Sequence, residues 1–304
     1  MLTNNVSRLL IPVPIFALLA TGALTVSRCP YQAIGALALG HSDCGVPDTC
    51  AAYREERELP ERLRAASGQT RNLARESGQR LVETPLGTLW FPDTKASDDD
   101  IANTIVENQE NAYSGTIRKG DVVLDVGGHV GTFALRALAA GASRVVSVEP
   151  SPDTAESLRR NLAAPIRSGT ATVVEKAAWS SSGELEFFAR GGMGDTIQPG
   201  HGGRKVTVQA ARLDDIVTRL GLERIDLVKI DTEGAEIDIL EGAAGTIRRF
   251  HPRLAVITEH KPEDLTSIPA LIDSIRVYPR RSYGKCIYQP LRKRASPEFI
   301  LFDN

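Results

Sequence analysis

The sequence predicts an α/β protein built on a mostly parallel sheet with helices on both faces. Two stretches support this prediction, residues 122–150 and 225–242, because each joins a short apolar strand to an amphipathic helix. In the first stretch, the β-branched run at 122–124 is followed by a glycine turn, a helix and a second strand at 144–148. This order is the first unit of a nucleotide-binding parallel sheet.

The sequence predicts two parts. Residues 1–80 form an N-terminal extension, and residues 81–304 form the main domain. Residues 9–26 are apolar throughout, with a length between that of a membrane span and that of a signal-peptide core. We interpret them as an uncleaved anchor or as a segment packed on the domain. Residues 51–78, rich in Arg, Glu, Ala and Leu, predict one or two solvated helices.

The main domain begins with a predicted β-hairpin over residues 81–92. A helix start signal at 97–100 then opens a helix over 98–113, which we expect to cover the ligand pocket. After residue 149 the pattern predicts a helix at 153–162 and a third strand at 171–174.

A glycine-rich loop, residues 190–205, lies between two stretches that alternate like a β-pair, 184–189 and 206–209. The loop is interpreted either as a mobile substrate lid or as a disordered insertion. Further on, the pattern predicts a helix at 213–220, a buried strand beginning at Leu227, a helix from Ala235 and a strand at 254–258. The tail predicts a helix to residue 275 and short strands near 276–278, 285–288 and 298–302.

The turn after the first strand has the spacing of a nucleotide site. It is written D-x-G-x-x-x-G from Asp125 to Gly131, with His129 where a dinucleotide fingerprint needs a glycine. Glycines let the backbone turn sharply and approach a ligand, and the next helix offers unpaired N–H groups and positive potential. A carboxylate before such a turn suits a ligand with an amino-acid end, a cation and a ribose. This describes S-adenosylmethionine better than NAD.

Carboxylates stand at the ends of four predicted strands, at Asp125, Glu149, Asp231 and Glu259. Ligands of open α/β sheets sit outside the carboxyl ends of the strands, so we expect these side chains along one edge. Glu149 is placed to accept both hydroxyls of a ribose. Asp231 and Glu259 should lie on neighbouring strands beside the glycine turn.

Composition gives no support for a nucleic-acid partner or a zinc knuckle, and it leaves the state of the cysteines open. The net charge of −2 and an aromatic content of 5% give no reason to propose nucleic acid. The four cysteines form no C-x-x-C pair, so a zinc knuckle is not indicated. A disulfide in an oxidising compartment and ordinary cytosolic thiols both remain compatible with their positions.

In order and spacing, the motifs DVGGHVG, VEPSP and VKIDTEGAE, with LDD upstream of the last, resemble the FkbM family of S-adenosylmethionine-dependent methyltransferases. The resemblance covers about residues 103–259. It implies a Rossmann-like class I methyltransferase fold, with a seven-stranded sheet finished by one antiparallel strand, and O-methylation of a hydroxyl on a small molecule or glycan. The sequence departs from the family in Gly128 and His129, and in the segment around Asp195.

Each strand-end residue then receives an expected role. Cofactor binding is assigned to the residues of the glycine turn and of the next two strand ends: Asp125, Gly127, Gly128, Gly131, Glu149, Glu175 and Ala177. The chemical step is assigned to Asp231, His260 and Glu259, with Asp231 or His260 as the base. A divalent cation on Asp231, Glu233 and Glu259 is an alternative that we do not expect.

Two other functions stay open at this point. An NAD-dependent oxidoreductase is disfavoured by His129 and by the absence of a Tyr-x-x-x-Lys pair. A non-catalytic, membrane-tethered nucleotide-binding module would explain Glu149 and the glycines but not Asp231 and Glu259. Because the inferred cofactor is cytoplasmic, we expect the protein in the cytoplasm, free or anchored through residues 9–26.

Overall fold

The computed structural model describes residues 29–110, 113, 115–190, 192, 194–196, 203–289 and 293–304. The helices are α1 Tyr31–Ala38, α2 Val46–Ser67, α3 Ser97–Glu110, α4 Thr132–Ala139, α5 Pro152–Asn161, α6 Ala163–Arg167, α7 Leu213–Arg219, α8 Glu236–Gly242, α9 Ala244–Phe250 and α10 Asp264–Ile275. The strands are β1 Arg71–Glu76, β2 Gln79–Thr84, β3 Gly87–Pro92, β4 Val122–Val126, β5 Arg144–Val148, β6 Ala171–Val174, β7 Ala177–Ala178, β8 Gly183–Ala189, β9 Arg204–Ala211, β10 Leu227–Ile230, β11 Arg253–Ile257, β12 Arg280–Tyr283, β13 Cys286–Gln289, β14 Arg294–Pro297 and β15 Phe299–Asp303.

The main sheet has seven strands in the order β12-β15-β11-β10-β4-β5-β6. Its central strands pair in parallel, whereas β15 is antiparallel to both β11 and β12. The predicted mostly parallel, seven-stranded sheet with one antiparallel strand is therefore confirmed. The buried runs at β4, β5 and β10 form strands because sheets covered on both faces need continuous apolar segments.

Two apolar layers cover the faces of this sheet. One layer packs helices α7 to α10 against the sheet through side chains such as Leu213, Ile239 and Ile268. The opposite layer packs α4 and α5 through Phe133 and Leu158. With both faces closed, the free edge at the carboxyl ends of the strands is where a ligand can bind.

A three-stranded meander, β1-β2-β3, stands beside the sheet and packs on α3. The predicted hairpin is confirmed as β2 and β3, which pair from Gln79 to Pro92. The prediction of helix over residues 51–78 is correct only as far as Ser67, because β1 follows at Arg71. All six residues of β1 are exposed, so this strand has no apolar alternation by which it could be recognised.

The N-terminal helices are covalently tied to the C-terminal part of the chain. Cys29 bonds Cys50, and Cys44 bonds Cys286 at the start of β13. Around these bridges α1 and α2 pack on the β13-β14 hairpin, and Asp43 pairs with Arg294. The question left open by the cysteine positions is thus answered by two disulfides.

Two further predictions about the ends of the chain can be compared with the structure. The strand predicted near residues 276–278 is wrong, because β12 begins only at Arg280. The apolar segment, residues 9–26, lies outside the described residues. Among the helices that the structure describes, none combines the length and the apolar character that crossing a bilayer requires.

Candidate functional site

A cleft lies at the carboxyl ends of β4, β5, β10 and β11, with an empty volume of about 1140 Å³ that includes its open mouth. Side chains from α3 and from the tail also reach it, so the predicted cover over the pocket is partly supplied by α3. Its lining includes Glu107, Tyr113, Gly127, Gly128, His129, Glu149, Asp195, Lys229, Asp231, Glu233, Glu259, His260 and Glu298.

The glycine turn is shaped by neighbouring parts of the chain. The peptide N–H groups of Gly127 and Gly128 both donate to the carbonyl of Val148, at 3.0 and 3.1 Å. Gly127 has φ +81°, and a Cβ there would lie 1.9 Å from the carbonyl oxygen of Asp231. Gly131 has φ +93°, and its Cβ would lie 2.7 Å from Leu158. Only glycine fits these two positions, because a side chain would collide with the fold itself.

Asp125 stands beneath the turn and does not line the cleft. Its side chain is fully buried, with Ser147 Oγ at 3.1 Å and Lys229 Nζ at 3.3 Å. Burial raises the pKa of this carboxyl, and Lys229 and Ser147 oppose the rise. The structure therefore places Asp125 where it supports the turn from below, with Lys229 between it and the cleft.

Lys229 connects three parts of the site, and the sequence patterns did not single it out. Its Nζ donates to the carbonyl of Gly127 at 2.8 Å and lies 3.7 Å from Asp231 Oδ2. Burial tends to lower the pKa of the ammonium, but Asp125 and Asp231 outweigh it and leave the pKa raised. A charged lysine thus ties the glycine turn to the end of β10.

Glu149 is buried at the end of β5 and still reaches the cleft. Its carboxylate accepts the N–H of His129 at 2.9 Å and the N–H of Ser151 at 3.0 Å. Burial raises the pKa of Glu149 to about 7, although these two donors oppose the rise. Two donors leave acceptor capacity on both oxygens, which is the property needed to bind a pair of ribose hydroxyls.

Glu175 and Ala177, both assigned to cofactor binding from the sequence, are separated by the structure. Ala177 lines an apolar recess that adjoins the cleft and shares Gly127, Pro150 and Phe187 with it. Glu175 is exposed and pairs with Arg159 at 2.7 Å, outside both cavities. The recess suits a flat apolar group, whereas Glu175 stabilises the surface of α5.

Asp231 lies on the opposite side of the turn from Glu149. Its Oδ2 accepts the hydroxyl of Tyr113 at 3.1 Å. Tyr113 is buried between the rings of Phe133 and Phe299, so the direction of its hydroxyl is fixed. The carboxylate is one third exposed and faces the cleft, where an acceptor could reach it.

More carboxylates gather at this end of the cleft. Glu107, on α3, remains accessible to solvent, yet partial withdrawal from water inside the cleft raises its pKa well above the usual value. The carboxylates of Asp231, Glu259 and Glu298 raise it further. Because these carboxylates repel one another, the cleft favours the binding of a positively charged group.

His260 is held between two carboxylates. Its Nδ1 lies 2.9 Å from Glu236, and its Nε2 lies 3.8 Å from Glu233. Burial opposes the charged form, but the bond to Glu236 dominates and raises the pKa of His260 to about 10. The imidazole is accordingly protonated at neutral pH. Burial raises the pKa of Glu233 to about 7, although His260 opposes this rise.

A metal site was the alternative for Asp231, Glu233 and Glu259. Within the part of the chain that the structure describes, no group of three or more His, Cys, Asp or Glu side chains is arranged to hold a metal ion.

Comparison with known proteins identifies the family of the chain. The family model for the methyltransferase FkbM domain matches residues 125–284, more than half of the chain. The chain belongs to the FkbM methyltransferase family. Its sequence is 25% identical over 197 residues to the hexuronic acid methyltransferase AglP of Haloferax volcanii, covering 62% of this chain and 74% of that protein. It is 27% identical over 163 residues to the 2-O-methyltransferase NoeI of Sinorhizobium fredii, covering 47% and 65%.

A solved structure of an FkbM methyltransferase from Methylobacillus flagellatus is also similar. The two chains are 19% identical, with a TM-score of 0.45, over 84% of this chain and 61% of that one.

The cleft of the present FkbM protein brings together most of the site residues that were predicted from its sequence. These residues are Gly127, Gly128, Glu149, Asp231, Glu259 and His260. Asp125, Gly131 and Glu175 lie outside its lining, and Ala177 lies in the adjoining recess.

Proposed function

We propose that the protein transfers the methyl group of S-adenosylmethionine to a hydroxyl oxygen of a small molecule or glycan. The observation that carries this proposal is the acidic lining of the cleft: seven of its described lining residues are Asp or Glu, against one Lys, one Arg and two His. S-adenosylmethionine has a net positive charge, whereas the pyrophosphate of a dinucleotide is negative. An acidic cleft attracts the first and repels the second.

The residues present fit this cofactor. Glu149 has acceptor capacity for two ribose hydroxyls, and the recess lined by Ala177 and Phe187 is apolar, as an adenine ring requires. Gly127 and Gly128 border the space between Glu149 and Asp231, where the amino-acid end would lie. In this arrangement Asp125 acts indirectly, by holding Lys229 and with it the turn.

When bound, the cofactor supplies an electrophilic methyl group on a sulfonium. The protein then has to align the acceptor oxygen and remove its proton. We assign the role of the base that removes this proton to Asp231, because its carboxylate faces the cleft and is oriented by Tyr113 and Lys229. His260 is the weaker candidate for the base, since its pKa of about 10 keeps both ring nitrogens protonated.

The carboxylates of the cleft also limit which acceptor can bind. Glu107, Asp231, Glu233, Glu259 and Glu298 surround the space beyond the glycine turn. An acidic acceptor would be repelled there, whereas a neutral or amine-bearing polyol can donate hydroxyl or ammonium hydrogens to these carboxylates. We therefore infer an acceptor without an acidic group, unlike the hexuronic acid named for the Haloferax relative.

The test combines binding and turnover with the full chain. S-adenosylhomocysteine should bind in calorimetry and NAD should not, and label from S-adenosylmethionine should appear in a hydroxylated acceptor. Asp231→Asn should keep the affinity for S-adenosylhomocysteine within about threefold and lower turnover by about 10²- to 10⁴-fold.

Glu223→Gln is the matched control, because this exposed carboxylate lies before β10, at the opposite edge of the sheet. Unchanged turnover in Asp231→Asn would remove Asp231 from the chemical step. Binding of NAD, or of neither ligand, would refute the proposed function as a whole.

A further inference from the structure

His129 occupies a position in the glycine turn that needs an explanation. Its φ is +46°, in the left-handed region that residues with a side chain rarely adopt. This conformation directs the His129 N–H to Glu149 Oε2 at 2.9 Å. A contact that keeps His129 in this conformation would therefore also orient the carboxylate predicted to bind the ribose.

Asp100 makes that contact from a different part of the chain. It lies in the first turn of α3, is 5% exposed, and its Oδ1 is 3.2 Å from His129 Nε2. Burial alone would lower the pKa of the His129 imidazole, but Asp100, Glu149 and Asp195 outweigh it and leave the pKa raised. The side chains of Asp100 and His129 thus link α3 to the turn.

The helix that carries Asp100 is itself well fixed. Ile101, Ile105 and Val106 pack it on the meander and on Val130, the residue after His129. Asp100 therefore approaches the imidazole from a helix that is packed in the core.

We propose that Asp100 is a positioning residue for the cofactor, which acts through His129 to fix the carboxylate of Glu149 for the ribose hydroxyls. This inference rests on the proposed function. Without Asp100 the His129 peptide can leave the left-handed region, and Glu149 then loses one of its two backbone donors. A carboxylate that rotates freely binds two adjacent hydroxyls less well than one held in place.

The experiment is a double-mutant cycle on the full chain, with S-adenosylhomocysteine affinity measured by calorimetry at a fixed pH. Asp100→Asn keeps the size of the side chain and removes its charge. We expect it to weaken binding about tenfold in the wild-type background and less than about twofold when Glu149→Gln is also present. Asp99→Asn, an exposed carboxylate next to it on α3, should leave binding unchanged.

An equal loss in both backgrounds would assign Asp100 a general structural role and overturn the inference, as would a wild-type affinity in Asp100→Asn. Failure of the wild-type protein to bind S-adenosylhomocysteine would instead refute the proposed function and, with it, this inference. His129→Gly provides a second background for the cycle. Glycine adopts the left-handed conformation without help, so in this background the Asp100 substitution should cost less than about twofold, and a tenfold cost there would contradict the proposal.

Discussion

Replacing Lys229 with methionine would test how far the site depends on one buried cation. Lys229 is 5% exposed, and its Nζ lies 3.3 Å from the carboxylate of Asp125, which is 0% exposed. Methionine has a similar length and no charge, so the substitution leaves the Asp125 carboxylate buried without its cation. Breaking a buried ion pair in this way costs about 3–5 kcal/mol. We expect a melting temperature on the order of 10 °C lower, from about 2–4 °C per kcal/mol.

The stability lost in Lys229→Met should also depend on pH, in a direction that the pKa of Asp125 determines. Burial already raises the pKa of Asp125, and loss of Lys229 raises it further. The folded variant then binds a proton that the unfolded chain releases, so its stability falls as the pH rises from the unfolded pKa, about 4, through the folded one. The deficit relative to the wild type should be small in acid and grow toward neutral pH.

Denaturant unfolding at several pH values measures this deficit. Lys95→Met is the matched control, because Lys95 is exposed and loses the same charge. Adding Asp125→Asn to Lys229→Met should recover most of the lost free energy, since the uncompensated carboxylate is gone. A deficit below about 1 kcal/mol, or one that the second substitution does not reduce, would refute the view that Lys229 neutralises Asp125.

Three other predictions concern the cofactor, the acceptor and the disulfides. The affinity for S-adenosylhomocysteine should rise several-fold between about pH 6 and about pH 8, because Glu149, with a pKa of about 7, must be ionised to accept both ribose hydroxyls. Calorimetry should find no such rise in Glu149→Gln. A rise that persists in this variant would contradict the role of Glu149 in ribose binding. A methyl hexoside or a methyl aminohexoside should exceed the matching hexuronide in kcat/KM by at least about tenfold, and a preference for the uronide would contradict the inferred acceptor. Replacing Cys44 and Cys286 together with serine should lower the free energy of unfolding by about 2–5 kcal/mol, because this bridge spans 242 residues; an unchanged denaturation midpoint would show that the bridge contributes little.

The fold could be predicted because its signals are local and strong. The strands β4, β5, β6 and β10 are short apolar runs that each end at a turn or an acidic residue, and parallel sheets require such runs. Their order in the sheet brings Glu149, Asp231 and Glu259 to one edge, as expected from the rule on strand ends. The exposed strand β1 was missed, because pairing with β2 forms it and no apolar alternation marks it.

The parts of the site that escaped prediction depend on contacts between distant segments. Lys229 sits within a buried strand, where a lysine gives no signal of what it faces until Asp125 and Gly127 are placed beside it. Tyr113 lies between secondary-structure elements and reaches Asp231, 118 residues away in sequence. The cysteine pairing was equally hidden, because four cysteines allow three connectivities and their spacing favours none.

The physical reason why Gly127 and Gly131 must be glycine decides which substitutions can test the site. From the sequence they were expected to give a ligand room, but at Gly127 the atom in the way of a Cβ is the carbonyl oxygen of Asp231. At Gly131 it is the side chain of Leu158. Alanine at either position would disturb the turn whether or not a cofactor binds there, so a loss of activity would not show contact with the cofactor. Substitutions that keep size and change only charge, at Glu149, Asp231 and Asp100, separate ligand binding from folding.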